Sequence, residues 1–189
     1  MAIERLPYRA TSLGASYDGV DRLPVAVVLD SVRSLYNVGA FFRTADAVRL
    51  DVLHLTGLTG CPPRREIAKT ALGAESVVPW ARHECAVALL DDLRTDGYEI
   101  AAVETRDRAV DLFDWRPAFP VCLIFGHEVD GIGHEVLERC DTLVRIPMLG
   151  HKRSLNVATA GGVVLFELLR KYRALGSRVS GPAPPGARP

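Results

Sequence analysis

The chain predicts an α/β protein built on a parallel sheet flanked by helices, and three observations predict it. Continuous apolar runs of strand length recur at VAVVLD (25–30), YEIAAVET (98–105) and VCLIFG (121–126). Runs without polar alternation mark strands covered on both faces, the pattern of a parallel sheet. Segments of helical period separate the runs, as parallel crossovers require. Finally, glycines and polar residues cluster beside apolar runs at 37–43, 126–128 and 146–156. The carboxyl edge of such a sheet is where ligands bind. Three such blocks in order suggest one composite site.

Taken in order, residues 1–23 show no clear periodicity and read as an N-terminal extension, with the main domain expected over 24–173. VAVVLD is the first strand. Ser34 or Asn37 could cap the next helix, expected near 38–48, where Phe41, Ala45 and Val48 lie close to helical spacing. DVLHLTG (51–57) reads as a strand, TGCPPRREIAKT (59–70) as a Pro-broken loop and SVVPW (76–80) as a strand. An amphipathic helix is expected over 84–96, followed by the strands at 98–105 and 121–126. A short helix around 136–139 and a strand TLVRIP (142–147) precede a long helix over 154–172. That helix is rich in Ala and Gly at its start. Residues 174–189, ending GSRVSGPAPPGARP, carry little to bury and read as a disordered tail.

The 48% hydrophobic and 24% charged content suits a soluble globular chain of 189 residues. No apolar run approaches the roughly 20 residues of a membrane span. The start, MAIERLPYRATSLG, has no signal-peptide core, so a cytoplasmic location is the expectation. Cys61, Cys85, Cys122 and Cys140 are scattered without a C-x-x-C pair, which argues against a zinc site or a disulfide framework. The net charge of zero conceals an asymmetry. Residues 82–138 carry five basic and 13 acidic side chains, and 139–189 carry nine and two. The fold could therefore present a basic face beside an acidic one, or simply carry solvated charge.

Familiar signatures are missing. There is no G-x-G-x-x-G after the first strand, no P-loop, no H-E-x-x-H and no G-x-S-x-G. His127 and His134 lack partners at metal-ligand spacing and read as surface or site-edge residues, so no metal is expected. Gly126 ends an apolar strand, where a missing side chain would let a flat ligand approach the backbone. Glu128 could accept hydrogens from a ribose or an amine, or be the solvated residue of a tight turn. Ile146 and Met148 could wall an adenine pocket, with Pro147 rigidifying the turn, or the three could form a plain core edge. Ser154 and Asn156 could cap the last helix or, with its N-terminus, hold an anion or a hydroxyl. Asn37 and Arg43 stand six residues apart on one helix, and the flanking Phe41, Phe42, Thr44 and Ala45 make Arg43 an unusual surface residue.

These blocks resemble the three signature motifs of the SpoU (TrmH-like) branch of the SPOUT RNA methyltransferases, as NVGAFFRTADA, LIFGHEVDGIG and IPMLGHKRSLNVATAGGVVLFEL. The likeness covers about residues 24–173 in the family's order and spacing. It implies a SPOUT-type parallel sheet with a C-terminal trefoil knot over roughly 120–170, a rare exception among folds. It implies a homodimer, and S-adenosylmethionine held in a bent form by the backbone around Thr105, Gly126, Ile146 and Leu155, with Met148 and Ser154 beside them. Gly161 and Gly162 would then serve close packing, since both weaken an isolated helix. Asn37, Arg43, Glu128, Ser154 and Asn156 would form the catalytic surface for methylation of a ribose 2′-hydroxyl in tRNA or rRNA. Arg64, Arg65, Lys69, Lys152 and Arg153 are the candidates for RNA contact. The competing expectations are a catalytically silent RNA-binding or ribosome-assembly protein, a SPOUT base methyltransferase, and a small-molecule adenine-nucleotide enzyme.

Overall fold

The computed structural model describes residues 22–179. The N-terminal extension up to residue 21 and the end of the tail, 180–189, lie outside the described residues. Seven strands form one sheet: β1 (Leu23–Asp30), β2 (Leu50–Thr56), β3 (Trp80–His83), β4 (Glu99–Val103), β5 (Val110–Asp111), β6 (Val121–Phe125) and β7 (Thr142–Arg145). Every pairing is parallel, in the spatial order β3-β2-β1-β6-β4-β7-β5. Among the described residues five helices cover it: α1 (Leu35–Val48), α2 (Arg65–Ala71), α3 (Ala86–Thr95), α4 (His134–Leu137) and α5 (Val157–Val179).

The alternation of side chains along β1 explains the layering. Val25, Val27 and Leu29 face a core shared with Phe41 and Phe42 of α1, Ile67 of α2, and Val164, Leu165 and Leu168 of α5. Ala26 and Val28 face the opposite core, with Leu89, Leu90 and Leu93 of α3 and Val136 of α4. Both faces of a central strand are therefore dry, so its sequence shows no polar alternation. Helix α5 seats against α1 through Gly161, where an added Cβ would lie 2.2 Å from the ring of Phe41. That ring in turn packs on Phe125 of β6, with centroids 5.0 Å apart.

Several local expectations are corrected. The stretch after Pro62-Pro63 is not loop throughout: Arg65–Ala71 is helical, and Gly39 of α1 lets it approach so closely that a Cβ there would sit 2.3 Å from the Ile67 carbonyl. Tertiary packing thus completes a helix that is too short to stand alone. SVVPW is not a strand. Ala74–Ser76 form a 3-10 turn, and the strand begins only at Trp80. The two-residue edge strand β5 adds to the expected set, since so short a pairing leaves no periodic signal. The last helix starts at Val157, later than expected, and continues to Val179, through part of the segment read as tail. Gly162 differs from Gly161: a Cβ there would meet nothing within 4 Å, so its own chain places no packing demand on it.

The order of the strands positions the site. β7 lies between β4 and β5, which succeed each other in the chain, so the 104–109 connection must cross the end of β7. The carboxyl ends of β6, β4 and β7, neighbours in the sheet, meet beside the start of α5.

Candidate active site

A cavity of about 280 Å³ opens at those strand ends. Val103, Phe125, Ile146, Met148, Leu155, Val157 and Ala160 supply its apolar wall. Its polar lining comes from Glu104, Thr105, Arg145, Ser154 and Asn156 and from the 126–131 turn. The volume lies near the lower limit of roughly 300 Å³ for small-molecule sites, and the mixed lining is typical of them. All the residues expected to hold a donor, Thr105, Gly126, Ile146, Met148, Ser154 and Leu155, line this one space.

Gly126 lines the cavity, and the fold of its own chain also requires a glycine there. After β6 the chain folds back so that His127 and Gly131 exchange backbone hydrogen bonds of 3.1 and 3.0 Å. A Cβ on Gly126 would lie 2.5 Å from the Gly131 carbonyl group. The glycine is thus demanded first by the chain itself. Gly131 has φ +71°, and a Cβ there would meet the Glu104 carboxylate at 2.6 Å. Glu104 accepts from the backbone N–H of Thr105 (2.9 Å) and of Ile132 (3.3 Å), so it ties the end of β4 to the returning turn.

At the rim, Glu128 joins this turn to the start of α1. Its carboxylate accepts from the backbone N–H of Arg33 (3.1 Å) and Ser34 (3.0 Å) and from Asn37 Nδ2 (3.0 Å). Partial burial by itself would raise the Glu128 pKa. The backbone donors of Arg33, Ser34 and Glu128 itself, with the Asn37 amide, outweigh it and hold the carboxyl below its ordinary value of 4.5. An ionised carboxylate only accepts, so it fixes the direction of the hydrogen bonds beyond it. Asn37 must turn its Nδ2 to Glu128, which leaves its Oδ1 to accept from Asn156 Nδ2 at 3.2 Å. Asn156 Oδ1 then accepts from the N–H of Ala158 (3.0 Å) and Thr159 (3.3 Å), capping α5. Residues 91 and 119 positions apart in sequence are therefore locked into one polarised chain of hydrogen bonds. Ser34, rather than Asn37, caps α1, accepting from Asn37 N at 3.4 Å.

Arg43 is not brought to this chain of bonds. Its exposed side chain borders a separate shallow hollow with Ala40, Thr44, Ala47, Lys69, Thr70 and Phe166. Neither Asn37 nor Glu128 touches it within the protomer. Arg64 precedes α2, Arg65 lies within it, and both are exposed, as are Lys152 and Arg153 on the loop before α5. His127 sits at the cavity edge, where Nδ1 accepts from Val129 N (3.2 Å) and Asp130 N (3.0 Å). Glu104 and Arg145 escaped sequence reasoning because a single acid or base after a strand carries no pattern. Only their position at the ends of adjacent strands could have suggested them.

The model of the SpoU rRNA Methylase family matches residues 24–166, and so takes in every element that builds the cavity and its rim. The chain belongs to that family. A protein of Staphylococcus haemolyticus (strain JCSC1435), named for the TrmH family of tRNA/rRNA methyltransferases, is 32% identical over 82% of this chain. This chain covers 61% of that protein, about three fifths of its length. The AdoMet-bound rRNA methyltransferase of Sinorhizobium meliloti superposes with a TM-score of 0.72 and 31% identity, over 79% of this chain and 60% of that one. A structure concerned with 2-OH methylation of C/U34 on tRNA gives the same TM-score and identity, over 79% of this chain and 97% of that one. These neighbours share the SPOUT fold class expected from the three blocks.

Proposed function

We propose that this SpoU family chain is an S-adenosylmethionine-dependent methyltransferase that modifies a ribose 2′-hydroxyl in tRNA or rRNA. The observation that carries this reading is the cavity at the ends of β4, β6 and β7, with the Asn37–Glu128–Asn156 chain at its rim. The likeness to an AdoMet-bound rRNA methyltransferase supports the donor, and the likeness to a structure of tRNA 2-OH methylation supports the acceptor. The cavity fits the donor chemically: an apolar slot between Ile146, Met148 and Leu155 suits an adenine, and the polar groups around it suit a ribose and an amino acid.

When bound, the donor supplies a methyl group made electrophilic by its sulfonium. The protein has to hold an acceptor hydroxyl in line and ease the loss of its proton, and positioning alone contributes several kcal/mol. Asn37 is held on two sides, yet its second Nδ2 hydrogen remains to orient a ribose oxygen. Ser154 and Asn156 present a hydroxyl and an amide on the cavity side of that acceptor. A guanidinium stays protonated, with a pKa above about 12, so Arg43 serves as a holder of the neighbouring phosphate and a stabiliser of developing alkoxide charge, not as a base.

That role needs a second copy of the chain, because Arg43 borders no part of the cavity in its own protomer. The α1–α5 face around it leaves Tyr36, Val163 and Phe166 exposed, which suits a homodimer that carries Arg43 across to the partner's site. The 104–109 connection crossing β7 suits the expected trefoil knot. RNA capture then falls to Arg64, Arg65, Lys69, Lys152 and Arg153, and an RNA substrate fits a cytoplasmic setting. The test is methyl transfer from labelled S-adenosylmethionine to tRNA and rRNA from cells lacking the protein, followed by digestion to nucleosides. Label in one 2′-O-methylnucleoside is expected. Label in a base, or donor binding with no transfer to any RNA, would overturn the reading.

A further inference from the structure

Arg145 and Glu104 end adjacent parallel strands. Val103 and Val144 are register partners, Glu104 N donates to Val144 O at 2.9 Å, and both charged residues line the cavity. An acid and a base at neighbouring strand ends would ordinarily pair. Here they do not: Arg145 makes no ion pair and no side-chain hydrogen bond among the described residues. The reason lies in Glu104. Each of its oxygens accepts one backbone N–H, from Thr105 and from Ile132, which with the close approach of Gly131 holds the carboxylate towards the turn. Glu104 is thus committed to the backbone, and Arg145, exposed and with Asp111 as its register partner on β5, stands at the cavity without a direct ion pair.

An unpaired guanidinium in a ligand cavity calls for an anion. On the reading proposed above, the ligand carries a single anionic group, the carboxylate of its amino acid end. We infer that Arg145 is a specificity residue for the donor, binding that carboxylate and so distinguishing the intact amino acid end from a plain thioether nucleoside. The alternative, a phosphate of the RNA, is less suited. Arg145, though itself exposed, lines the cavity with Ile146, Met148 and Leu155, whereas Arg64, Arg65 and Lys69 do not.

The experiment is isothermal titration of the full chain and its Arg145→Met variant with S-adenosylmethionine, S-adenosylhomocysteine and 5′-methylthioadenosine, with RNA binding measured in parallel. The last nucleoside keeps adenine, ribose and thioether but lacks the amino acid. Loss of one charge-assisted contact at an exposed residue corresponds to about a tenfold loss of affinity at most. Both amino acid ligands should weaken by that factor, while 5′-methylthioadenosine changes less than about twofold, which also shows the variant to be folded. Equal weakening of all three would overturn the inference and make Arg145 a shaping residue. Unchanged donor binding with weakened RNA binding would overturn it in favour of a phosphate contact. A wild-type chain that binds none of the three ligands would instead refute the donor reading itself, and this inference with it.

Discussion

Gly161→Ala and Gly162→Ala make the same chemical change at neighbouring positions of one helix, and the structure separates them. At either site alanine favours an isolated helix by about 1 kcal/mol. At Gly162 the new methyl meets nothing within 4 Å, so in the protomer that gain stands. At Gly161 it would lie 2.2, 2.6 and 3.1 Å from three atoms of the Phe41 ring. That ring cannot retreat, since it is fully buried against Phe125. Overpacking of this kind costs about 1–3 kcal/mol. The propensity term cancels between the two variants, so their difference isolates the clash. Gly161→Ala should be less stable than Gly162→Ala by about 1–3 kcal/mol, or roughly 3–9 °C in Tm for a chain of this size. Urea and thermal unfolding, followed by circular dichroism, would measure it. The relief must come from α5 moving away from α1, which displaces Asn156, Val157 and Ala160 at the cavity wall. Donor affinity should therefore fall in Gly161→Ala as well. If the two variants were equally stable, the account of helix seating would be refuted.

Three more outcomes are expected. Glu128→Gln should lower turnover with a smaller effect on donor affinity, because it breaks the polarity of the Asn37–Asn156 chain and leaves the cavity wall intact. Its stability penalty should have a defined pH window: the folded pKa of Glu128 lies below 4.5, so the advantage of wild type is full above that pH and disappears as pH falls through the lower, folded value. A penalty that grew on acidification, in unfolding curves at several pH values, would contradict this. His54 faces His83 with ring nitrogens 3.0 Å apart, and burial first, then His83, lowers its pKa from 6.5 to about 4. The unfolded chain therefore takes up that proton first, and stability falls as pH drops from 6.5 towards 4. His54→Phe should flatten this fall, and urea midpoints that decline as steeply as in wild type would disprove it. Arg43→Ala and Asn156→Ala should each be inactive alone but recover activity when mixed and allowed to exchange subunits. Failure of a mixture shown to contain heterodimers would place Arg43 in its own chain's site.

How far the sequence could be read depends on whether a property is local. VAVVLD and VCLIFG announced buried parallel strands because a residue with two dry faces must be apolar whichever way it points. Asn37, Glu128, Ser154 and Asn156 could be singled out because their blocks succeed or adjoin strands, and strand ends are where a doubly wound sheet exposes function. Arg65–Ala71 could not be read as a helix, since its stability comes from Gly39 on another element, and SVVPW misled because strand-forming residues there close a turn. Gly126 was identified for its missing side chain, but only the folded turn shows that the backbone of Gly131 occupies the space. The separation of Arg43 from Asn37, the unpaired state of Arg145 and the direction of the Glu128–Asn37–Asn156 chain belong wholly to the tertiary structure. Each depends on which distant residues meet, and spacing along a chain fixes distance only within one element. The sequence by itself thus determined the sheet, its covered faces and the residues at its functional edge. The adjacency of β6, β4 and β7 in the sheet, with α5 starting beside their ends, decided which of those residues share one cavity.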